Sequence, residues 1–359
     1  MNAPGSRLSR RLNLRPSIVE SIYSIIAEID AVKTGWKLTG RLPPQTIERL
    51  ARSVIVTSTG ASNRIEGNRL TDREVEALYK NLRIKRFRTR DEQEVAGYLE
   101  VLELVFGNYQ DIPVRESSIL QLHQDMLKYS DKDARHKGQY KFGPNRVEAK
   151  DRTGRVLGII FDPTPPHLVQ KEMQELVEWH AWAVAGNFRH PLILIANFVF
   201  EYLAIHPFQD GNGRTSRLLT NLMLLQHGYE FARVVSHEKL IESNKADYYL
   251  ALSKTQKSWK GKKEDISLWL SFFLRIIQAQ SRQALSILEG DSVEYLLSGK
   301  QLELWRWAAA LPGREFGRKA AIEAMGYPAR TVESIVKKLL DLKKIEKIGA
   351  GRATRYRVL

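Results

Sequence analysis

The run His206-Pro-Phe-Gln-Asp-Gly-Asn-Gly-Arg-Thr-Ser-Arg217 concentrates a proton acceptor, an oxygen ligand and two fixed cations in twelve residues. The imidazole of His206 titrates near neutral pH and can take a proton from a hydroxyl. Asp210 is a hard oxygen donor, suited to a magnesium ion shared with phosphates. Gly211 and Gly213 let the backbone approach a ligand and turn its amides toward it. Arg214 and Arg217 carry guanidinium forks that match phosphate oxygens. Each fragment has an ordinary structural explanation: a His beside Pro, an Asp-Gly-Asn-Gly turn, two arginines on a solvated helix face. Their concentration in one loop is what points to chemistry on a nucleotide phosphate. No Gly-x-x-x-x-Gly-Lys-Ser/Thr string occurs, so a P-loop has no support.

The elements that must position this loop read as helices. Pro191–Ile205 is an apolar stretch interrupted by Asn197 and Glu201, too short to span a bilayer, and Leu218–Leu225 is periodic. The loop therefore runs into a helix N-terminus, where unpaired amides attract phosphate. Further helical spacing is seen at Ile18–Ile29, Gln45–Thr57, Glu92–Phe106, Ser117–Lys128 and His167–Val184. Thr71 with Glu74 predicts a capping box opening a helix to Leu82. Residues 138–166 differ: glycines, prolines and alternation predict a hairpin of Arg146–Ala149 and Val156–Phe161 around a Gly-containing turn.

The twelve-residue string resembles the signature of the Fic family, His-Pro-Phe-x-Asp/Asn-Gly-Asn-Gly-Arg-x-x-Arg, and matches it at every specified position. That resemblance implies a mainly α fold, with a Fic-type helical core and a β-hairpin flap. It implies transfer of AMP from ATP to a Ser, Thr or Tyr hydroxyl of a target protein or of the chain itself, with pyrophosphate leaving. His206 would deprotonate the hydroxyl, and Asp210 would hold Mg2+. Asn212 and the amides around Gly211 and Gly213 would bind anionic oxygen. Arg214 and Arg217 would meet the outer phosphates, with Thr215 and Ser216 in the same ATP-binding turn. Phe208 would anchor the loop in the core. The hairpin 138–166 would be the flap on which the target protein docks by strand addition, with Val147, Glu148 and Ala149 nearest the nucleotide. Tyr248, Tyr249 and Gln256 stand where such proteins line the adenine. The resemblance also suggests a homodimer.

A second string, Ser62-Asn-Arg-Ile-Glu66-Gly67, matches the family's inhibitory motif. Ser62 and Glu66 are four apart, so a helix puts them on one face. The resemblance implies that Glu66 pairs with Arg217, takes the cation meant for the γ-phosphate and leaves ATP misaligned. In some braked relatives the same Glu positions water for the reverse reaction, so a de-AMPylase is one alternative.

The chain has 359 residues, no cysteine and a net charge of +15. Disulfides and thiolate chemistry are thereby excluded, a reducing cytoplasm is consistent with this, and no signal peptide is expected at the start. The charge is uneven. Residues 296–359 hold fourteen Lys and Arg against six Asp and Glu. Three helical segments (Gln301–Ala310, Arg318–Met325, Thr331–Leu342) and a hairpin (Ile345–Ile348, Arg355–Leu359) make that part a winged helix-turn-helix candidate. Ala329–Lys338 would enter a DNA groove, and Arg352, Arg355 and Arg357 would meet phosphates. Protein contact or dimerisation is the other use of such a unit. The sequence thus divides into an N-terminal helical region at 1–110, a catalytic core at 111–285 and a winged helix at 296–359. A DNA-binding regulator with a nucleotide-sensing core is the remaining alternative to the enzyme.

Overall fold

The computed structural model describes residues 6–39, 44–82, 87–145, 147–150, 156–288, 297–349, 351 and 354–359. Two compact units result, residues 1–284 and 285–359. The larger unit contains both the N-terminal helices and the segment carrying the signature loop.

Its centre is α8 (Pro191–Ile205), in which every residue from Leu192 to Ile205 is buried. A helix that is apolar all round belongs inside the protein. α7 (Pro166–Ala185) and α9 (Asn212–Gln226) pack directly on it. The two polar interruptions of α8 are answered from the start of the chain. Arg11, just past α1 (Ser6–Arg10), donates to Asn197 Oδ1 at 2.6 Å and to Glu201 Oε2 at 2.5 Å, and Arg7 also bonds Glu201. Burial would raise the Glu201 carboxyl, but Arg11 and Arg7 hold it below the usual carboxylate range.

The N-terminal helices wrap this core. α2 (Pro16–Thr39) buries Ile22, Ile26 and Ile29, and α3 (Pro44–Ile65) runs eight residues further than the periodicity over Gln45–Thr57 predicts. α4 (Asp72–Asn81) opens with the Thr71–Glu74 capping box, and α5 (Arg90–Asn108) with a second box at Thr89 and Glu92. α6 (Glu116–Met126) crosses α5. A hairpin of β1 (Val147–Lys150) and β2 (Val156–Phe161) pairs antiparallel, Val147 opposite Phe161. Its turn and Arg146 lie outside the described residues. α10 (His237–Ser243), α11 (Lys245–Gln256) and α12 (Ser267–Leu288) complete the element order of this part. No helix among the described residues is long and apolar enough to cross a membrane.

The C-terminal unit holds α13 (Gly299–Ala309), α14 (Arg318–Met325) and α15 (Ala329–Asp341) with strands β3 (Glu315–Gly317), β4 (Ile345–Ile348) and β5 (Arg355–Val358). The sheet order is β3-β5-β4, all antiparallel. β3 is missing from the sequence reading, because three residues between a Pro-Gly break and a helix carry no alternation to detect. Its Phe316 is nonetheless buried in a core with Leu304, Val332, Ile335, Leu339 and Val358.

Candidate active site

The signature loop joins α8 to α9, as the run of apolar residues on either side predicts. His206 caps α8 with a left-handed backbone (φ 53°), and Gly211 caps α9 at φ 80°. The imidazole Nδ1 donates to the Leu203 carbonyl at 3.3 Å, since a carbonyl can only accept. Nε2 is then the unprotonated nitrogen. Burial lowers the His206 pKa to about 4, so the ring is a neutral base at pH 7.

Phe208 is fully buried and stacks on His123, ring centroids 3.6 Å apart, which is the anchoring role expected of it. Asn212 departs from expectation. Its side chain accepts from the Phe208 amide and donates to the Phe208 carbonyl, both at 2.8 Å, so it braces the loop. The backbone amides of the first turn of α9 have no intrahelical acceptor and remain the donors open to an anion. The hydroxyls of Thr215 and Ser216 likewise return to their own helix, at Gly211 O and Gly213 O.

The two arginines are both held by carboxylates. Arg214 Nη1 lies 3.1 Å from Glu94 Oε2, and its Nη2 lies 3.2 Å from Asp210 Oδ1. Arg217 is gripped from α3 and the turn after it. Its Nε donates to Ser62 Oγ at 2.7 Å, and its Nη2 to the Ser62 carbonyl at 2.9 Å and Glu66 Oε1 at 2.7 Å. Burial would make this guanidinium less basic, yet Glu66 raises it above its ordinary value. Glu66 is one residue beyond the helix rather than within it. α3 ends at Ile65, and Gly67 at φ 100° turns the chain away. The Glu66 carboxylate sits directly on the N-terminus of α9: a Cβ on Gly213 would lie 2.1 Å from its Oε1. Only glycine at 213 permits that approach.

The C-terminal half of α3 is pinned at further points. Glu238 on α10 is buried and accepts from Ser58 Oγ on α3 (2.7 Å) and Asn221 Nδ2 on α9 (2.6 Å). Arg64 pairs with Glu242 at 2.6 Å and Asp72 at 2.8 Å.

Asp210 is ionised. Burial would raise its carboxyl, but Arg214 and the Gly211 amide bring it below the usual range. Its side chain is 36% exposed, with Arg90 3.5 Å from Oδ2. Among the described residues no group of three His, Cys, Asp or Glu gathers to hold a metal. One exposed carboxylate fits a magnesium ion that takes its other oxygens from phosphates and water, and does not fit a cage built by protein alone.

Of the expected adenine residues, Tyr248 is buried against Trp269 and beside Arg217, where burial raises its phenol to about 12. Tyr249 is 40% exposed. A small void lies between Arg217, Ser216, Tyr248 and Trp269, and Gln256, buried at the end of α11, is not among its lining residues. Val147, Glu148 and Ala149 lie on β1, and their side chains are outside the described residues.

Sequence reasoning assigned no site role to His123, Glu94, Lys141 or Asn145. His123 donates through Nε2 to Asp210 O at 3.0 Å and accepts the Gly138 amide at Nδ1, also at 3.0 Å. Burial lowers its pKa to about 4, which keeps it neutral for both bonds. Nothing in the spacing of these residues marks them, since their partners in the signature loop and α9 lie between 60 and 120 positions away.

A neutral imidazole at a helix end, a glycine-rich turn and two arginines in the first turns of the next helix form an arrangement suited to phosphate chemistry. Residues 113–224 match the Fic/DOC family. It is 29% identical over 197 residues to the protein adenylyltransferase fic-1 of Caenorhabditis briggsae, covering 52% of this chain and 34% of that protein. A Fido domain-containing protein of Dictyostelium discoideum is 35% identical over 71 residues, 20% of this chain and 50% of that one. The chain thus spans about a third of the length of the adenylyltransferases it matches. Its fold is similar to that of a Fic family protein from Desulfovibrio desulfuricans (TM-score 0.60, 23% identity, 97% of each chain covered). It is also similar to a Fic domain-containing signaling protein from Bacteroides thetaiotaomicron (TM-score 0.59, 25% identity, 73% of this chain and 97% of that one).

Proposed function

We propose that this chain is a protein adenylyltransferase held inactive by its own Glu66. The observation that carries the reading is the double grip of Ser62 and Glu66 on Arg217, next to a neutral His206 whose Nε2 is unprotonated. In the reaction, Nε2 of His206 takes the proton from a Ser, Thr or Tyr hydroxyl of a target protein. The hydroxyl oxygen bonds the α-phosphorus of ATP, the bond from that phosphorus to the bridging oxygen breaks, and pyrophosphate leaves. Mg2+ held by Asp210 would neutralise phosphate charge. The amides of the first turn of α9, that of Gly213 among them, and the freed Arg217 orient the phosphates. With Glu66 in place, its carboxylate occupies the approach to those amides, and the outer phosphates are displaced. A misplacement of about 1 Å lowers the rate on the order of a hundredfold. The β1–β2 hairpin is the surface on which the target's backbone docks.

Transfer from α-labelled ATP in a cell lysate tests the reading. In the Glu66→Gly background, His206→Ala is expected to lower labelling by about 10²–10⁴-fold. Undiminished labelling would remove His206 as the base. Release of AMP from a pre-modified target without forward transfer would point instead to the reverse reaction.

We read the C-terminal unit as a winged helix whose exposed face of α15, with Arg330 and Lys337, meets duplex DNA. That face supports the reading better than the wing does. Arg357 is paired with Glu315 at 2.6 Å, Arg355 lies 3.8 Å from the same carboxylate, and Arg352 lies outside the described residues. Binding that weakens steeply with salt, and weakens further in Arg330→Ala, is expected; salt-independent or absent binding would contradict it.

A further inference from the structure

His206 has a left-handed backbone conformation (φ 53°) that a residue with a side chain avoids. Something must hold it there. The four successive carbonyls from Ile205 to Phe208 are all taken by two residues at the base of the flap. Lys141 Nζ donates to Ile205 O at 3.2 Å, and the Lys141 amide to Pro207 O at 2.9 Å. Asn145 Nδ2 donates to His206 O at 3.2 Å and to Phe208 O at 2.6 Å. The two side chains are tied together, Lys141 Nζ to Asn145 Oδ1 at 2.6 Å. The result is an alternating clamp, with Lys141 on carbonyls 205 and 207 and Asn145 on 206 and 208.

We propose that Lys141 and Asn145 are positioning residues for His206, a clamp that fixes the left-handed turn and so aims the imidazole. This rests on the reading of His206 as the base. The argument is geometric. Rotating the peptide planes on either side of His206 to an ordinary conformation swings the carbonyls away from Asn145 and Lys141, and the ring leaves the Leu203 carbonyl. Lys141 is 4% exposed, so its ammonium has little water to return to, and it donates to the Ile205 carbonyl and Asn145 Oδ1. Asn145 also stands two residues before β1, so the clamp and the proposed docking strand share one short stretch of chain. A target strand that pulls on β1 acts through Asn145 on the carbonyl of His206 itself.

The test uses the full chain with Glu66→Gly and three further variants. Asn145→Asp keeps the shape but loses both donors, Lys141→Met loses the charge, and Lys141→Arg keeps it. Transfer kinetics, binding of a non-hydrolysable ATP analogue, thermal melting and 15N shifts of the His206 ring are measured for each. The clamp predicts that Asn145→Asp and Lys141→Met lower kcat on the order of a hundredfold, with analogue affinity held within about threefold. It also predicts that the single Nδ1–H tautomer of His206 gives way to a mixture, and that Lys141→Arg recovers part of both. Unchanged kcat with an unchanged tautomer would overturn the proposal. So would losses of kcat that merely follow losses of analogue affinity and melting temperature. If Glu66→Gly transfers no AMP at all, the enzyme reading fails and the tautomer still decides the clamp: retained in both variants it is overturned, lost in both it stands.

Discussion

Two ion pairs made by buried arginines in this molecule have the same chemistry and opposite character. Arg11 meets Glu201 inside the core, and Arg217 meets Glu66 at the signature loop. In both, a segment from the N-terminal part of the chain answers a charge on a central helix. In both, an Asn or Ser on the same face adds a further bond to the arginine. The difference lies in the acid. The Arg11 and Glu201 side chains are 1% and 2% exposed, whereas Glu66 is 35% exposed and stands in a turn before Gly67. A carboxylate sealed from water cannot leave without unfolding its surroundings. One with an open side can swing into solvent and be rehydrated. The first pair is therefore built as structure, while the second has the open side that the proposed brake requires, although contacts alone would not separate them.

Breaking each pair should produce opposite phenotypes. The largest effect on stability is expected for Arg11→Ala, which leaves Glu201 buried with Arg7 as its remaining cation. Removing one partner of a buried pair destabilises by about 3–5 kcal/mol. Chemical denaturation should show that loss, with transfer per folded molecule unaltered. A shift below about 1 kcal/mol would mean that the N-terminal plug is superficial.

A smaller effect sharpens the contrast through pH. His123, His180 and His206 are held near pKa 4 by burial, against 6.5 for an ordinary histidine. Between those values the unfolded chain binds protons that the folded chain refuses, so the histidine contribution to stability falls as pH drops from 6.5 to 4. Melting temperatures across that window should decline with the same slope in wild type and Glu66→Gly, because the brake is not the source. A slope that flattens in Glu66→Gly would place the titration at the brake instead.

Much of the site is legible without a structure because it is contiguous. A base, a carboxylate and two arginines within twelve residues need only one turn to meet, and the flanking apolar helices announce that turn. Glu66 was reached through the resemblance of its motif, not through its distance from Arg217, which is 151 positions in sequence. The clamp of Lys141 and Asn145, the Glu94 contact with Arg214 and the Arg11 plug are invisible in the chain. Each joins residues whose types are ordinary and whose meeting depends on how α5, α8 and the flap base pack. The end of α3 lies beyond the apolar periodicity for a related reason. After Thr57 the helix faces Ser58, Ser62 and Asn63 inward to polar partners, so apolar periodicity stops while the helix continues.

Self-labelling from α-labelled ATP by Glu66→Gly, beside wild type and with melting curves for both, tests the brake most directly. Labelling should rise on the order of a hundredfold, while the melting temperature changes little, since a partly exposed acid contributes at most about 1 kcal/mol. Equal labelling by the two proteins would contradict the assignment of Glu66 as the residue that holds this site inactive.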